Sequence, residues 1–246
     1  MPLSRRVLLT SALVAPLTQH VAGTDHVTTS RGVMSTSSTV KDRVEALVEL
    51  YRDDVAPIVQ LGDPVLRRKA EPFDGQFDDG LLKDFVELLR RTMLAAPGVG
   101  LAAPQVGVPL RIAVLEDPAT VSAEVAEARE RYPLEFLAVL NPEYAPRGRD
   151  KRGFYEGCLS MPGFTGVVSR PLKVDAGYSD LTGARRRLTL SGWQARIFQH
   201  ETDHLNGRLY VDQVEPRSMA TSTSYTNRWA DPVPTRAAEE LGFDLD

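Results

Sequence analysis

The sequence predicts an α+β domain in which antiparallel or mixed β-sheets pack around one central helix. Three observations carry this prediction. Two amphipathic helical segments lie in the first half of the chain, alternating strand-like runs are set between turn signals, and a late helix holds two histidines one turn apart.

The first helix is expected over residues 41–54, with Thr39 as its cap and Val44, Leu47, Val48 and Tyr51 on one face. A second is expected over 78–95, where Leu82, Phe85, Val86, Leu89 and Met93 recur at helical spacing; Pro97 and Gly98 stop it. Strands follow at 111–115 and 136–140. Between them the insertion at 117–133 includes a charged, helix-prone run, 122–131, which reads as solvated surface with no chemical role. Residues 172–178 and 185–190 alternate around a turn at 179–184 and read as a β-hairpin. The last helix starts near Ser191 and stops at Asn206-Gly207, glycine being favoured just past a helix end.

That helix carries His200-Glu201-Thr202-Asp203-His204, which contains two of the four histidines of the chain. Residues four apart lie one above the other on a helix, so both imidazoles can grip one ion while Glu201 stands beside it, placed to move a proton. A pattern of this kind also occurs in charged surface turns, so a third ligand decides the matter. Cys158, the only cysteine, lies upstream in Glu156-Gly157-Cys158-Leu159-Ser160. It reads either as a small buried apolar residue or as a thiolate completing a Cys-His-His set with an open fourth position. Gly157 favours the second, because a glycine permits the close backbone approach of a ligand-bearing turn. Trp193 and Ile197 share the face of His200, Glu201 and His204.

The run Gly98-Val99-Gly100-Leu101-Ala102-Ala103-Pro104-Gln105 is weak by itself: no βαβ setting surrounds it and the third glycine of a dinucleotide fingerprint is absent. Taken in order with Glu156-Gly157-Cys158-Leu159-Ser160 and Gln199-His200-Glu201-Thr202-Asp203-His204-Leu205-Asn206-Gly207, however, it resembles the three signature blocks of the peptide deformylases. Ser191 to Ile197 and Gly163 to Arg170 also resemble that family, and the likeness covers roughly residues 55–215.

The resemblance implies the deformylase fold and removal of formyl from N-formylmethionine of newly made polypeptides. It implies one divalent ion on Cys158, His200 and His204, with iron(II), Fe2+, expected and zinc, nickel or cobalt (Zn2+, Ni2+, Co2+) suiting the same donors. Glu201 would serve as general acid/base, and the Gln105 side-chain amide with the Leu159 backbone N–H would stabilise the oxyanion. Gln105 alone would read equally well as a surface residue. Gly100 would lend backbone hydrogen bonds to the substrate peptide as if to an added strand. Phe154, Trp193 and Ile197 are candidates for the walls of a methionine pocket, and each reads as well as ordinary core. Glu156 and Arg170 either pair to brace the cysteine turn or stay as two solvated charges.

A chain of 246 residues with 42% hydrophobic content fits one catalytic domain, expected over 41–215, plus extra segments. The net charge of −4 argues against direct nucleic-acid binding through a broad basic face, and no membrane partner is expected. The partners implied are N-formylmethionyl nascent peptides near the ribosome. Some family members end in a basic helix implicated in ribosome docking; here 216–246 is an extended C-terminal tail rich in Pro, Ser, Thr and acids, and that contact is not carried over.

Residues 1–40 are expected to be a disordered leader, with translation starting near Met34 as another reading. Ser4-Arg5-Arg6-Val7-Leu8-Leu9 and the apolar stretch after it also resemble a twin-arginine export signal over 1–23, interrupted by Pro16, Gln19 and His20. A cytoplasmic enzyme is the expectation, since export would part it from nascent chains. Two rivals stay open: a general HExxH metallopeptidase with its third ligand downstream, and a non-catalytic binder of formylated or acetylated N-termini, against which Glu201 and Gln105 argue.

Overall fold

The computed structural model describes residues 39–245. The export signal expected over 1–23 and the leader expected over 1–40 lie outside the described residues except at the leader's last two positions, where Thr39 caps the first helix and Val40 begins it.

Helix α1, Val40–Leu50, opens with a capping box in which the Asp42 N–H donates to Thr39 Oγ1 at 3.1 Å and the Thr39 N–H donates to Asp42 Oδ2 at 2.8 Å. It ends four residues earlier than expected, and Val44 is the residue it buries outright. Helix α2, Asp79–Ala95, buries all five of its expected face residues. Both helices pack against one side of a five-stranded antiparallel sheet ordered β1-β2-β3-β6-β7, formed by Gly100–Ala102, Ile112–Asp117, Leu134–Pro146, Lys173–Ser179 and Arg185–Ser191. The alternation of β2 explains how the sheet serves two cores. Ile112 and Val114 face α1 and α2, while Ala113 and Leu115 face the central helix α4, Gly192–Leu205.

Strands β4, Lys151–Cys158, and β5, Met161–Pro171, form a long hairpin in a second, three-stranded antiparallel sheet completed by β8, Ala220–Thr221. Helix α4 is thereby enclosed, and every residue of it except Gln194 is buried. Enclosure makes each unpaired polar group of α4 costly, by about 1–3 kcal/mol, and most of its polar side chains are paired, Glu201 Oε2 being an exception among the described residues.

Two expectations are corrected. The insertion is solvated in part only: Glu124 and Glu127 of helix α3, Ala123–Arg129, are exposed, whereas Arg129 and Arg131 are buried to 4% and 1% exposure. Arg131 makes a two-pronged ion pair with Asp117, at 2.8 and 2.9 Å, with both partners almost fully buried. Such a pair leaves no amphipathic period, which is why the charges read as surface. The segment after residue 215 is not extended either. It forms a helical turn α5, Ser222–Ser224, runs on as a π-helical turn, Tyr225–Trp229, and ends in α6, Thr235–Leu241. Tyr225, Trp229 and Ala237 are buried against Tyr155 and Val167 of the β4–β5 hairpin.

Candidate metal centre

Strand β4 alternates, so Phe154 and Glu156 face α4 whereas Tyr155 faces the C-terminal segment. The β4–β5 ladder shifts register between Gly157 and Cys158, and Cys158 sits at that irregularity, 6% exposed. Its sulfur meets the two histidines of α4: one ligand atom each from Cys158, His200 and His204 lie within 4.8 Å of one another, all three residues being buried. Cys158 Sγ is 3.3 Å from His204 Nε2. A thiolate and two imidazoles suit a divalent metal of the zinc or iron(II) type.

The residues behind the ligands fit that role. His200 Nδ1 lies 3.0 Å from Glu156 Oε2, which turns the ring's other nitrogen toward the cysteine. Burial alone would raise the Glu156 carboxyl, but Arg170 and Arg196 hold it well below the ordinary carboxylate range. Arg170 grips both Glu156 oxygens, at 2.7 and 3.1 Å, and reaches Asp203 Oδ2 at 2.8 Å, so one guanidinium ties β4, β5 and α4 together. The pairing of Glu156 with Arg170 therefore exists. Sequence reasoning missed Arg196, which donates to Glu156 Oε1 at 2.5 Å and to the carbonyls of Val168 and Arg152 at 2.9 and 2.5 Å. It also missed Asp203, which accepts from Tyr144 Oη at 3.1 Å and Gln213 Nε2 at 3.0 Å. A charged residue in a buried helix was the available signal for both.

Glu201 lies on α4 beside the ligands, 5% exposed, with its Oε2 lacking any hydrogen-bond partner among the described residues. Burial pushes its pKa up to about 7, against the opposing pull of His200 and Arg170. A Cβ at Gly100 would fall 2.3 Å from Glu201 Oε1, so only glycine lets β1 approach this carboxylate. Strand β1 pairs with β2 alone and is the edge of its sheet.

Gln105 sits in a 3₁₀ turn, Ala103–Val106, 2% exposed. Its Oε1 accepts from the Ala102 N–H at 2.8 Å, which aims Nε2 at Ser160 Oγ, 3.3 Å away, and at Cys158 Sγ, 3.7 Å away. Leu159 follows the cysteine, and a Cβ at Gly98 would meet its Cδ1 at 2.8 Å. A small cleft beside His200 and Glu201 is lined by Val99, Trp193, Arg196 and Ile197. Phe154 is not among its lining residues: it packs edge-on against Trp193, with ring centroids 6.1 Å apart, in the core behind.

The comparisons agree with this geometry. The family model described as polypeptide deformylase matches residues 55–220. The chain is 54% identical to "Peptide deformylase 3" of Streptomyces avermitilis over 211 residues, spanning 86% of this chain and 93% of that one. It is 51% identical to "Peptide deformylase 1" of Streptomyces coelicolor, over 87% of this chain and 97% of the relative. Among solved structures, the peptide deformylase of Thermotoga maritima superposes with a TM-score of 0.57 at 36% identity, covering 66% of this chain and 99% of its own. The Met-Ala-Ser-bound class I type b enzyme of Acinetobacter baumannii gives a TM-score of 0.59 at 31% identity, covering 65% and 98%. With its buried Cys158, His200 and His204 converging beside Glu201, the chain belongs to the polypeptide deformylase family.

Proposed function

We propose that the protein hydrolyses the formamide of N-formylmethionyl nascent peptides in the cytoplasm, near the ribosome, releasing formate and a free amine. The observation that carries this reading is the convergence of the three ligands with a buried carboxylate that has an unpartnered oxygen. Cys158, His200 and His204 would hold a divalent ion, which would supply Lewis acidity and lower the pKa of a bound water to about 7. We assign Fe2+ as the metal used in the cell, with Zn2+, Ni2+ and Co2+ as substitutes on the same donors.

The chain's own groups then divide the work. Glu201 takes the water proton and passes it to the departing nitrogen, a transfer that contributes about 10²- to 10⁴-fold. The water oxygen bonds to the formyl carbon and the C–N bond breaks. Gln105 Nε2, already aimed at the cysteine, donates with the Leu159 N–H to the oxygen that gains charge. The free edge of β1 lets Gly100 pair with the substrate backbone. Trp193 and Ile197, with Val99, accept the first side chain in the cleft they line. Phe154 supports Trp193 from behind.

The test is formate release from formyl-Met-Ala-Ser by anaerobically prepared protein, beside the unformylated peptide and Glu201→Ala. Turnover well above that of the variant supports the reading; formate no faster than the variant overturns it.

A further inference from the structure

Trp193 forms one wall of the cleft, yet its Nε1 is buried without a hydrogen-bond partner among the described residues. Its ring is therefore held through its faces and edges. Three guanidinium carbons lie near it: Arg129 at 5.3 Å, Arg131 at 5.4 Å and Arg196 at 5.6 Å from the centroid. Two of these cations are locked by carboxylates of their own, Arg131 by Asp117 and Arg196 by Glu156. Arg129 is different. Among the described residues it has no carboxylate within ion-pair distance, and it is fixed by the carbonyls of Pro232 and Asp231, which accept from its Nε and Nη2 at 3.1 Å each.

Those carbonyls belong to the C-terminal segment, beyond the family match that ends at residue 220. The insertion is also pressed onto the first turn of α4. The Trp193 N–H donates to the Glu130 carbonyl at 3.3 Å, and a Cβ at Gly192, where φ is +57°, would fall 2.5 Å from that same oxygen. The wall of the cleft is thus clamped by two segments that hold no catalytic group.

We infer that Arg129 is a positioning residue for substrate selectivity: it links the 231–232 turn to Trp193 and so sets the depth of the pocket that takes the first side chain. This rests on the reading of the cleft as that pocket. A guanidinium suits the task because its flat fork bonds two carbonyls while its face lies against the rings of Trp193 and Phe154, the latter 5.7 Å away. Lysine keeps the charge and loses both the fork and the flat face.

The test compares full-length wild type, Arg129→Gln and Arg129→Lys, each loaded with the same metal, on formyl-Met-Ala-Ser and formyl-Ala-Ala-Ser. A change in apolar pocket fit discriminates substrates by about 10- to 200-fold per methylene, so partial loosening should lower the Met-over-Ala ratio of kcat/KM by about fivefold to tenfold. The change should fall on KM for the methionine peptide rather than on kcat, and Lys should fail to restore it. Calorimetric binding of Met-Ala-Ser against Ala-Ala-Ser should lose the same preference, and it reads the pocket even if the wild type releases no formate, the result that would sink the deformylase reading alone. An unchanged preference in either variant that melts like wild type overturns the inference. If Gln does not fold, Lys decides.

Discussion

The metal helix and the clamp made by the insertion and the C-terminal segment are both buried and both built on arginines, yet only one was readable before the structure. Around α4, Arg170 and Arg196 neutralise Glu156, which orients His200. Around the clamp, Arg131 neutralises Asp117 and Arg129 bonds backbone carbonyls. The difference lies in what the partners must be. A metal needs particular side chains one helical turn apart, whereas a carbonyl or an aromatic face can come from almost any residue and leaves no spacing to find.

The largest effect should come from Cys158→Ala. Metal bound per chain and formate release should both fall to background; a third ligand elsewhere, as in a general HExxH peptidase, would leave both in place. Breaking the clamp's ion pair with Asp117→Ala strands a buried guanidinium and should cost about 3–5 kcal/mol in urea unfolding. Metal stoichiometry of the folded fraction should not change. If it falls with stability, the two regions are one unit and the comparison fails.

Much of the site was legible because chemistry imposes residue type. The ligands and Glu201 follow from a five-residue spacing and a lone cysteine, and α2 and the β6–β7 hairpin from hydrophobic period. The roles of Gln105 and Leu159 came from family resemblance, because a glutamine in a short turn carries no period. Arg196 was hidden for the opposite reason: with Glu201 and Asp203 on the same helix it reads as one more solvated charge until both sheets are seen to enclose it.

Smaller effects sharpen the comparison within the metal region. On the proposed mechanism Gln105 is one of the oxyanion donors, so Gln105→Ala should lower kcat by about 10²- to 10³-fold with less change in KM. Glu201→Gln tests the cost of the buried carboxylate in metal-free protein. A carboxyl raised from 4.5 to about 7 binds its proton more tightly in the folded chain. Its contribution is therefore favourable below pH 4.5 and is lost as pH rises through 7, a difference of about 3 kcal/mol by pH 8. The Gln variant should then be the more stable metal-free protein at pH 8 and lose that advantage on acidification. A variant less stable than wild type at pH 8 would mean that Glu201 has a partner when the metal is gone.

The convergence of one sulfur and two ring nitrogens is measured most directly by X-ray absorption at the edge of zinc bound to the full-length protein. The account predicts one sulfur at about 2.3 Å and two imidazole nitrogens at about 2.0–2.1 Å, with the sulfur lost in Cys158→Ala. A ligand shell without sulfur in the wild type would contradict it.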